Sequence, residues 1–551
     1  MLEDASTVSP HQQPIEGQVG HSTLVMAGGT LISKITGFLR LAVLAAVLGV
    51  HSGLTEAYNV ANTTPNIVHD LVAGGILAST AVPVFVHHLD TRRQRGWRDI
   101  SAVLSATTAL LVVMTALLAL AAPLLIALFN LGASGTGLAL QQSVSVKLLR
   151  LFSAQLLLYG GISLLTAVLN AQRSFKAPAW APIANNVVVI FTLIFAQVAY
   201  PNRTLVGTEH SPGLLWLLGM GTTAGVAAQL VVMIPALRSA KARLVLIWEP
   251  SNPALRSIVS MSGWTLGYIA MNQISLFVVL ALAHAIEPNG GVTAWTYAYT
   301  FFQLPIGVLA VSIMSAFQPE LASAWTRGDK AAFRRRFSPG LMAAIATTVP
   351  AAVGYVVIGE PLVRLILAHG AGARTGLGGT GALLVAMATG LPGFTAYLFL
   401  VSSWQATRNA RQVFWIYALK NGLNLAMAFI LAIPLGVEGL GIALSVSYTT
   451  GAVYALVKAK RADLAPKRVG IWSLVAAIGI PSLIMGTSVW WLEASPLHNA
   501  PALARVGAGL GTGVAVFALS AWIAYMAGAR IAPTPETSRR ETHGIRSHRH
   551  R

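Results

Sequence analysis

Residues 101–128, SAVLSATTALLVVMTALLALAAPLLIAL, form an uninterrupted run without a charged side chain. The hydrocarbon core of a bilayer is about 30 Å thick, and a helix that crosses it needs about 20 apolar residues. This run is therefore long enough to span a membrane. The whole chain has the same character, with 551 residues, 55% apolar, 10% charged and a mean hydropathy of +0.66. A soluble protein carries about a quarter charged residues, so we predict an all-α polytopic membrane protein.

The same length criterion, applied outward from this run, predicts about 14 transmembrane helices. The second and the eighth are too long for straight membrane helices, and each contains a proline, so we expect tilt, a break or a cytoplasmic extension there. The predicted spans lie near 22–50, 55–88, 101–128, 144–171, 179–200, 213–237, 256–285, 291–325, 338–368, 378–406, 411–434, 438–458, 470–492 and 501–527.

The positive charges follow this span count. The chain has 37 Lys and Arg against 18 Asp and Glu, a net charge of +19. In a soluble protein this excess would suggest nucleic acid, but Lys and Arg are also retained in the cytoplasmic loops of membrane proteins. Alternate loops hold 21 Lys and Arg residues, whereas the opposite loops hold Arg203 and Arg374, with Arg505 nearby. We therefore predict that both termini are cytoplasmic, that anionic membrane lipids contact the basic loops, and that nucleic acid is not a partner.

The absence of cysteine removes several kinds of chemistry. Cys is not present in the sequence, which excludes disulfides, thiolate nucleophiles and Cys-ligated metal sites. The basic tail at 528–551 is better explained as a solvated segment beside the membrane than as a metal or nucleic-acid site. We expect no cofactor and no metal.

An internal repeat divides the chain. Arg173 and Trp180 recur as Arg408 and Trp415, each 235 positions later. Six spans per copy place both copies in the same orientation, so two lobes should face each other across a central cavity. Chance matching among Ala-, Leu- and Gly-rich helices is the alternative. The predicted organisation is a cytoplasmic tail at 1–21, six-helix lobes at 22–237 and 256–458, two additional helices at 470–527, and a cytoplasmic tail at 528–551.

Two cations lie inside the first predicted span, within 33–40, SKITGFLR. A charge at the bilayer centre costs about 2.5–3.5 kcal/mol even on the more lenient scale, so such residues usually face a hydrated cavity or a partner. Lys34 and Arg40 are about 120° apart on a regular helix. We expect a bend or an unwound turn at Gly37 to bring both into one cavity.

A polar stripe marks the second span, which contains 55–85, TEAYNVANTTPNIVHDLVAGGILASTAVPVF. Asn59, Asn62, Asn66 and His69 fall within about 80° of one helix face, with Pro65 predicted to kink the helix. We predict that these four residues bind substrate together with Lys34 and Arg40; hydrogen bonding between helices is the alternative. Glu56 and Asp70 are expected to pair with Lys34, Arg40 or His69 and to form a gate.

Cations in the first lobe suit an anionic substrate. Arg and Lys can bind phosphate or pyrophosphate through charge-assisted hydrogen bonds. With the inside of a cell negative, moving an anion outward gains about 2.3 kcal/mol per charge per 100 mV. A multiply charged lipid head group could thus be driven outward by the membrane potential alone.

The stretches 33–40 and 55–85, together with 304–321, LPIGVLAVSIMSAFQPEL, resemble the MurJ (MviN) family of lipid II flippases within the MATE-like flippase superfamily. The resemblance implies two six-helix lobes and an alternating-access cavity lined by spans 1, 2, 7 and 8. It also implies a groove at spans 13 and 14 for a polyprenyl tail. The substrate would be lipid II, the undecaprenyl-pyrophosphate-linked peptidoglycan precursor, in a bacterial plasma membrane, with cell-wall synthesis proteins as further partners.

The resemblance also carries over by residue. Lys34 stands where many members have Arg, Arg40 at a second basic position, and Glu56 where Asp is usual. His69 and Asp70 replace an Arg pair, and Thr300 stands where another Arg is expected, so this cavity is less cationic than in many members. Some relatives hold sodium with acidic residues of the second lobe; here spans 7 and 11 contain no Asp or Glu, and Lys420 lies in span 11.

Other functions remain open from the sequence alone. A cation-coupled drug antiporter of the same superfamily would favour carboxylates within the membrane, which is nearly the opposite of this charge balance. A membrane glycosyltransferase would need acid and base residues in its outer loops, which are short here. A scaffold of a cell-wall complex without transport activity is a further alternative. We predict a flippase that is not an enzyme.

Overall fold

The computed structural model describes residues 16–76, 81–91, 93–261, 263–466, 471–494, 497 and 500–529. Most of the predicted N-terminal tail and nearly all of the predicted C-terminal tail lie outside these residues. All regular structure within the described residues is helical, as the composition predicts.

The first half of the chain, residues 16–239, is built from helices that pack side by side. Their bounds are α1 Glu16–Leu48, α2 Gly53–Ile76, α3 Ala81–Thr91, α4 Arg93–Phe129, α5 Leu138–Phe152, α6 Ala154–Ala171, α7 Lys176–Ala199, α8 Leu205–His210 and α9 Pro212–Ser239. The short α10, Pro253–Met261, precedes the second half.

The second half, residues 263–461, has a comparable series, followed by a C-terminal pair. Its helices are α11 Gly263–Ile286, α12 Gly291–Phe302, α13 Val311–Thr326, α14 Lys330–Leu367, α15 Ala371–Thr375, α16 Thr380–Ala388, α17 Leu391–Ala406 and α18 Ala410–Arg461. The C-terminal helices are α19 Ile471–Leu474, α20 Ile480–Ala494 and α21 Ala502–Met526, with a π-helical turn between α19 and α20.

Within the described residues, ten helices are long and apolar enough to cross a membrane, or eleven if α16 and α17, bent by 55°, form one span. Helix α18 has 52 residues, about 78 Å at 1.5 Å per residue, which exceeds one bilayer crossing. Its backbone leaves the helical region at Gly436, φ 59°, and Asn424 and Ser447 on either side of that point are hydrogen-bonded. It is therefore a hairpin whose two arms match predicted spans 11 and 12, while the total of 14 stays a prediction.

Of the three alternatives expected for the long eighth span, a tilt, a break or a cytoplasmic extension, the structure shows an interruption of the α-helix. Helix α12 ends at Phe302, and a π-helical turn at Ile306–Ala310 precedes α13. Pro305, which has no backbone N–H to donate, lies between them. In the second span, by contrast, α2 stays helical through Pro65, and residues 77–80 before α3 lie outside the described part.

Helix ends repeat between the two halves in detail. Arg173 follows α6 and Arg408 follows α17, and both have a left-handed backbone with φ 57°. Lys241 follows α9 and Asp463 follows α18, with φ 51° and 59°. A residue in this conformation just past a helix closes the last turn by satisfying carbonyls that the helix leaves free. The same closure at matching positions is what two copies of one unit would produce.

The surface is suited to lipid rather than to water. Large apolar side chains are strongly exposed on the long helices, with Ile433 91%, Val198 78% and Leu120 76% exposed. The buried set includes charged and polar side chains, among them Glu56, Asn59 and Lys420. Exposed apolar side chains on the outside, combined with buried polar groups between the helices, are typical of a membrane protein.

Candidate functional site

A cavity of about 290 Å³ lies between the two halves. Helices α1, α2 and α7 form its wall on the first half, and α12 with the residues that follow it forms the wall on the second half. Its lining residues are Lys34, Gly37, Phe38, Arg40, Leu41, Leu44, Tyr58, Asn59, Asn62, Thr63, Val189, Thr296, Tyr297, Tyr299, Thr300, Gln303 and Leu304.

Lys34 and Arg40 both line this cavity. Helix α1 continues through Gly37, so of the two distortions that we expected there, a bend or an unwound turn, the unwound turn does not occur. The two side chains reach the same space because the cavity covers a wide sector of α1 and both are long and flexible. Neither forms a hydrogen bond or an ion pair with any residue that the structure describes. The cavity therefore holds two positive charges without a counterion in the described chain.

Lys34 extends across the cavity to the second half. Its Nζ lies 2.5 Å from the position that a Cβ would take on Gly307, in the π-helical turn after α12. Any side chain at that position would collide with the ammonium group. Glycine at 307 therefore permits the close approach of Lys34 to the broken part of the eighth span.

The polar stripe of α2 divides between two environments. Asn59 and Asn62 line the cavity, and buried Asn59 donates from Nδ2 to Thr293 Oγ1 at 3.0 Å. Asn66 is not among the lining residues and donates to the Asn62 carbonyl at 3.0 Å. His69 is also outside the lining, with Nε2 3.0 Å from Ser163 Oγ. Hydrogen bonding between helices, the alternative interpretation, thus accounts for His69, which contacts α6, whereas Asn66 bonds within its own helix.

Asp70 pairs with one of its three expected partners. Its Oδ1 lies 3.2 Å from His69 Nδ1, as expected, while Lys34 and Arg40 are not bonded to it. Its Oδ2 accepts a hydrogen bond from Gln273 Nε2 at 3.1 Å. Because Gln273 belongs to α11, Asp70 joins the two halves.

Glu56 has none of its expected partners, and this expectation is corrected. Its carboxylate, 0% exposed, accepts hydrogen bonds from the backbone N–H groups of Val292 and Thr293, both at 2.9 Å, and from Thr293 Oγ1 at 2.8 Å. His284 Nδ1 lies 3.0 Å from it. The first turn of a helix has unpaired N–H groups and a positive dipole, both of which stabilise a carboxylate. Glu56 of α2 therefore caps α12 of the opposite half.

Further contacts join the halves at the same end as Glu56. Gln141 Nε2 donates to the Pro288 carbonyl at 2.7 Å, and the Val50 N–H donates to Thr375 Oγ1 at 3.0 Å. His51 Nδ1 lies 3.1 Å from Glu287 Oε1. We call the Glu56 contacts with His284, Val292 and Thr293, together with the His51–Glu287 pair, the interlobe latch.

An apolar groove of about 370 Å³ lies next to the cavity. Helices α14, α20 and α21 form it, with Gly354, Ile358, Met485 and Gly513 among its lining. Leu304 lines the cavity and the next residue, Pro305, lines the groove. The charged cavity and the apolar groove thus meet at two consecutive residues of the chain.

A second polar site surrounds Lys420 in α18. Its Nζ donates to Asn421 Oδ1 at 2.8 Å and to Asn272 Oδ1 at 3.3 Å, and lies 4.3 Å from the centre of the Tyr448 ring. The adjoining space is about 70 Å³, and its lining residues include no carboxylate.

The comparison with a family model decides the family. The model described as Lipid II flippase MurJ matches residues 44–500, most of the chain. The chain belongs to the MurJ family. Family relatives named probable lipid II flippase MurJ are 25% identical over 420 residues in Rhizobium meliloti, covering 76% of each chain, and 25% identical over 476 residues in Rhizobium tropici, covering 85% of this chain and 86% of the relative. The relative from Thermotoga maritima is 23% identical over 473 residues, covering 86% and 90%.

Solved structures of the MurJ and MATE groups share this fold. A lipid II flippase MurJ in an inward closed conformation has a TM-score of 0.73 at 20% identity and covers 92% of this chain and 100% of its own. An inward-facing multidrug resistance MATE family transporter has a TM-score of 0.63 at 14% identity, covering 79% and 98%. The expected MurJ-like fold is confirmed, and the MATE transporter shares this fold.

Sequence reasoning missed His284 and Thr293. Both contact Glu56 from more than 220 positions away. Gly290 lies directly before α12 and Gly291 is its first residue, but nothing in this local sequence indicates that a distant carboxylate provides the cap.

Proposed function

We propose that this chain moves lipid II, the undecaprenyl-pyrophosphate-linked peptidoglycan precursor, from the inner to the outer leaflet of the bacterial plasma membrane by alternating access. Membership of the MurJ family supports the substrate class. The observation that carries the mechanism is the pair Lys34 and Arg40, without described counterions, in a cavity between the halves. Such cations match a pyrophosphate, which would supply the missing negative charge.

The adjacent groove supports a division of the substrate between two environments. A pyrophosphate and its sugars need a polar site, whereas a polyprenyl chain needs an apolar one. In this proposal the cavity holds the head group and the groove of α14, α20 and α21 holds part of the tail. Among the described residues, the lining of the cavity contains no carboxylate, which argues against the cation-coupled drug antiporter.

The proposed organisation follows the repeat. Lobes at 22–237 and 256–458 would rock against each other, with the helices at 470–527 attached to the second lobe and both termini in the cytoplasm. Asn59 and Asn62 would contact the head group with Lys34 and Arg40, whereas Asn66 and His69 would act through helix packing. The interlobe latch would hold one end closed. Anionic membrane lipids and cell-wall synthesis proteins are proposed partners, and the activity is transport rather than catalysis.

The test is lipid II translocation in proteoliposomes with Lys34→Ala and Arg40→Ala. We expect each variant to lose most of its transport while keeping its melting temperature, because neither side chain has a described partner whose loss would destabilise the fold. Arg408→Ala, which removes an exposed loop cation, is the matched control and should transport normally. Normal transport by both cavity variants would contradict the proposed site.

The membrane potential provides a second readout. If the charged head group alone carries the current, an inside-negative potential should accelerate outward movement, since each charge gains about 2.3 kcal/mol per 100 mV. Transport that is unchanged when the potential is collapsed with a potassium ionophore would contradict this driving force.

A further inference from the structure

A large cleft lies where α6 and α9 end, away from the cavity between the halves. Its volume is about 1080 Å³. Four of its lining residues are cationic, and the described lining includes no acidic residue. We call it the basic cleft, and its lining residues are Leu89, Trp97, Arg98, Ala171, Gln172, Arg173, Ala240, Lys241, Arg243, Val245 and Ile247.

Three of the four cations are not neutralised. Arg98 forms an ion pair with Glu249, and hydrogen bonds from Arg98 and Asn252 lower the pKa of the Glu249 carboxyl, which keeps it ionised. Arg173, Lys241 and Arg243 form no hydrogen bond or ion pair through their side chains within the described part of the chain. The cleft therefore carries an excess of positive charge over an apolar floor that includes Leu89 and Trp97.

Comparison with the second half shows that the fold does not require these charges. Lys241 and Asp463 occupy the same position after α9 and α18, with φ 51° and 59°, yet they carry opposite charges. Asp463 forms an ion pair with Arg334, so this position of the second half adds no positive charge. The left-handed helix end accepts either residue, so Lys241 contributes charge rather than backbone geometry.

The segment 242–249 beside the cleft, which has no regular secondary structure, presents apolar side chains. The N–H groups of Val245 and Ile247 donate to Ser101 Oγ at 3.2 Å and Ser105 Oγ at 3.0 Å of α4, which fixes the segment against the helix. Val245 and Ile247 line the cleft, whereas Leu246 and Trp248 are not among its lining residues. Leu246 is 91% exposed and Trp248 68% exposed. Tryptophan is enriched at the level of lipid head groups.

We propose that the basic cleft binds the phosphate of a membrane lipid head group, with anionic phospholipid as its source. Arg173, Lys241 and Arg243 contact the phosphate, while Leu246 and Trp248 lie among the upper acyl chains. The same phosphate chemistry could come from the pyrophosphate of the transported lipid, so the experiment separates the two sources. The assignment requires binding alone and does not depend on the proposed transport.

The test is photo-crosslinking of the full chain in phosphatidylcholine nanodiscs that contain a diazirine-bearing phosphatidylglycerol, with labelled peptides located by mass spectrometry. We expect labelling within 238–249, reduced roughly tenfold in the triple variant Arg173→Gln, Lys241→Gln, Arg243→Gln, because the charges that attract the head group are gone. The matched control, Arg335→Gln, Arg408→Gln, Arg411→Gln, removes three exposed cations from the second half and should label these peptides as the unmodified chain does.

Three outcomes would overturn the proposal. An equal loss of labelling in both triple variants would indicate that the positive charge of the whole chain attracts anionic lipid and that the cleft is not a specific binding site. Unchanged labelling in the first triple variant would show that its cations do not bind the head group. If undecaprenyl pyrophosphate reduced the labelling and unlabelled phosphatidylglycerol did not, the cleft would be a binding site for the transported lipid. A Lys34→Ala variant that keeps the labelling but loses transport would leave this proposal intact and separate it from the proposed function.

Discussion

His284 Nδ1 of α11 lies 3.0 Å from Glu56 Oε1 of α2, and the two side chains are 2% and 0% exposed. This contact crosses from one half of the chain to the other at the end of the cavity. Its importance comes from burial, since a carboxylate removed from water is stable only when its oxygens are satisfied. Glu56 satisfies both oxygens with groups of the opposite half, so the two halves cannot separate there without exposing or stranding a charge.

Glu56→Ala should therefore open this end of the cavity. The substitution leaves the buried N–H groups of Val292 and Thr293 without their acceptor, at about 1–3 kcal/mol for each buried unsatisfied group, which is enough to shift a closed population substantially. The chain has no cysteine, so Thr296→Cys in the cavity lining can report access to a membrane-impermeant maleimide. We expect faster labelling in the Glu56→Ala background.

Glu360→Ala is the matched control for this variant. Glu360 pairs with Arg364 one turn away at 2.9 Å, and both side chains are more than half exposed. Exposed pairs of this kind contribute about 0–1 kcal/mol, so labelling of Thr296→Cys should not change. Equal labelling rates with and without Glu56 would show that the latch does not hold the halves together.

Acidity should favour the closed latch through Glu287. Burial raises the pKa of this carboxyl, and so do the charges of Glu56 and Glu438, while His51 opposes the shift. A raised pKa in the closed state means that the ionised carboxylate is disfavoured there. The closed state therefore loses stability as the pH rises from the ordinary pKa near 4.5 through the raised pKa. Because maleimide reacts with the thiolate, the rate for Thr296→Cys is divided by the rate for a free cysteine at the same pH, and we expect this ratio to increase with pH across that window.

Glu287→Gln should flatten this pH dependence and leave the end closed, because a neutral amide does not ionise. A labelling profile with the same slope in Glu287→Gln as in the unmodified chain would assign the pH effect to another group. Gln141 hydrogen-bonds to the Pro288 carbonyl of the opposite half and has no ionisable group. Gln141→Leu is therefore the control that should raise labelling by the same factor at every pH.

The features that could be predicted from the sequence are those that depend on residues close together in the chain. Apolar runs identify helices because the bilayer sets their length, and Lys34 and Arg40 stood out because a charge in such a run is costly. The break after Phe302 and the reversal at Gly436 follow from Pro and Gly. The Glu56 partners could not be predicted this way, because they depend on how α2 meets α12 in three dimensions. The stripe from Asn59 to His69 was correct in periodicity, but one helix face can cross from a cavity into a packed interface along its length.

Gly307→Ala should impair transport with little effect on stability. The new Cβ would lie 2.5 Å from Lys34 Nζ, and an ammonium at the end of a flexible side chain moves more easily than backbone. Lys34 would then be displaced from the broken turn while the fold stays intact. Translocation rate and melting temperature, measured on the same preparation, should separate the two effects.

Gly511→Ala, in α21 and outside the groove lining, is the control for an added methyl group in a helix. No side chain or distant backbone lies within 4 Å of a Cβ at that position, and Ala favours a helix over Gly by up to about 1 kcal/mol. We expect normal transport and an unchanged or slightly raised melting temperature. If Gly307→Ala behaved in the same way, the position of Lys34 against the π-helical turn would have no functional role.

Lys420→Met should destabilise the second half. The substitution keeps the length of the side chain but leaves the Asn272 and Asn421 oxygens without a donor, at about 1–3 kcal/mol for each buried unsatisfied group. Lys458→Met is a matched control on the same helix, since Lys458 also lies over a tyrosine ring, 5.4 Å from the centre of Tyr454, without buried amide partners. The melting temperature should fall for Lys420→Met and stay nearly constant for Lys458→Met.

Gly354→Leu tests whether the groove of α14, α20 and α21 holds a lipid tail. The added side chain would occupy the groove, where space beside Gly354 is open, so the fold should tolerate it. If the tail binds there, transport of a long polyprenyl substrate should fall, while a lipid II analogue with a short prenyl chain, which does not reach the groove, should be moved at the unmodified rate. The ratio of the two rates in one proteoliposome preparation is the measurement, because it cancels differences in insertion and folding. An equal reduction for both substrates would mean that the substitution acts on the motion of the helices and that the groove does not select the tail.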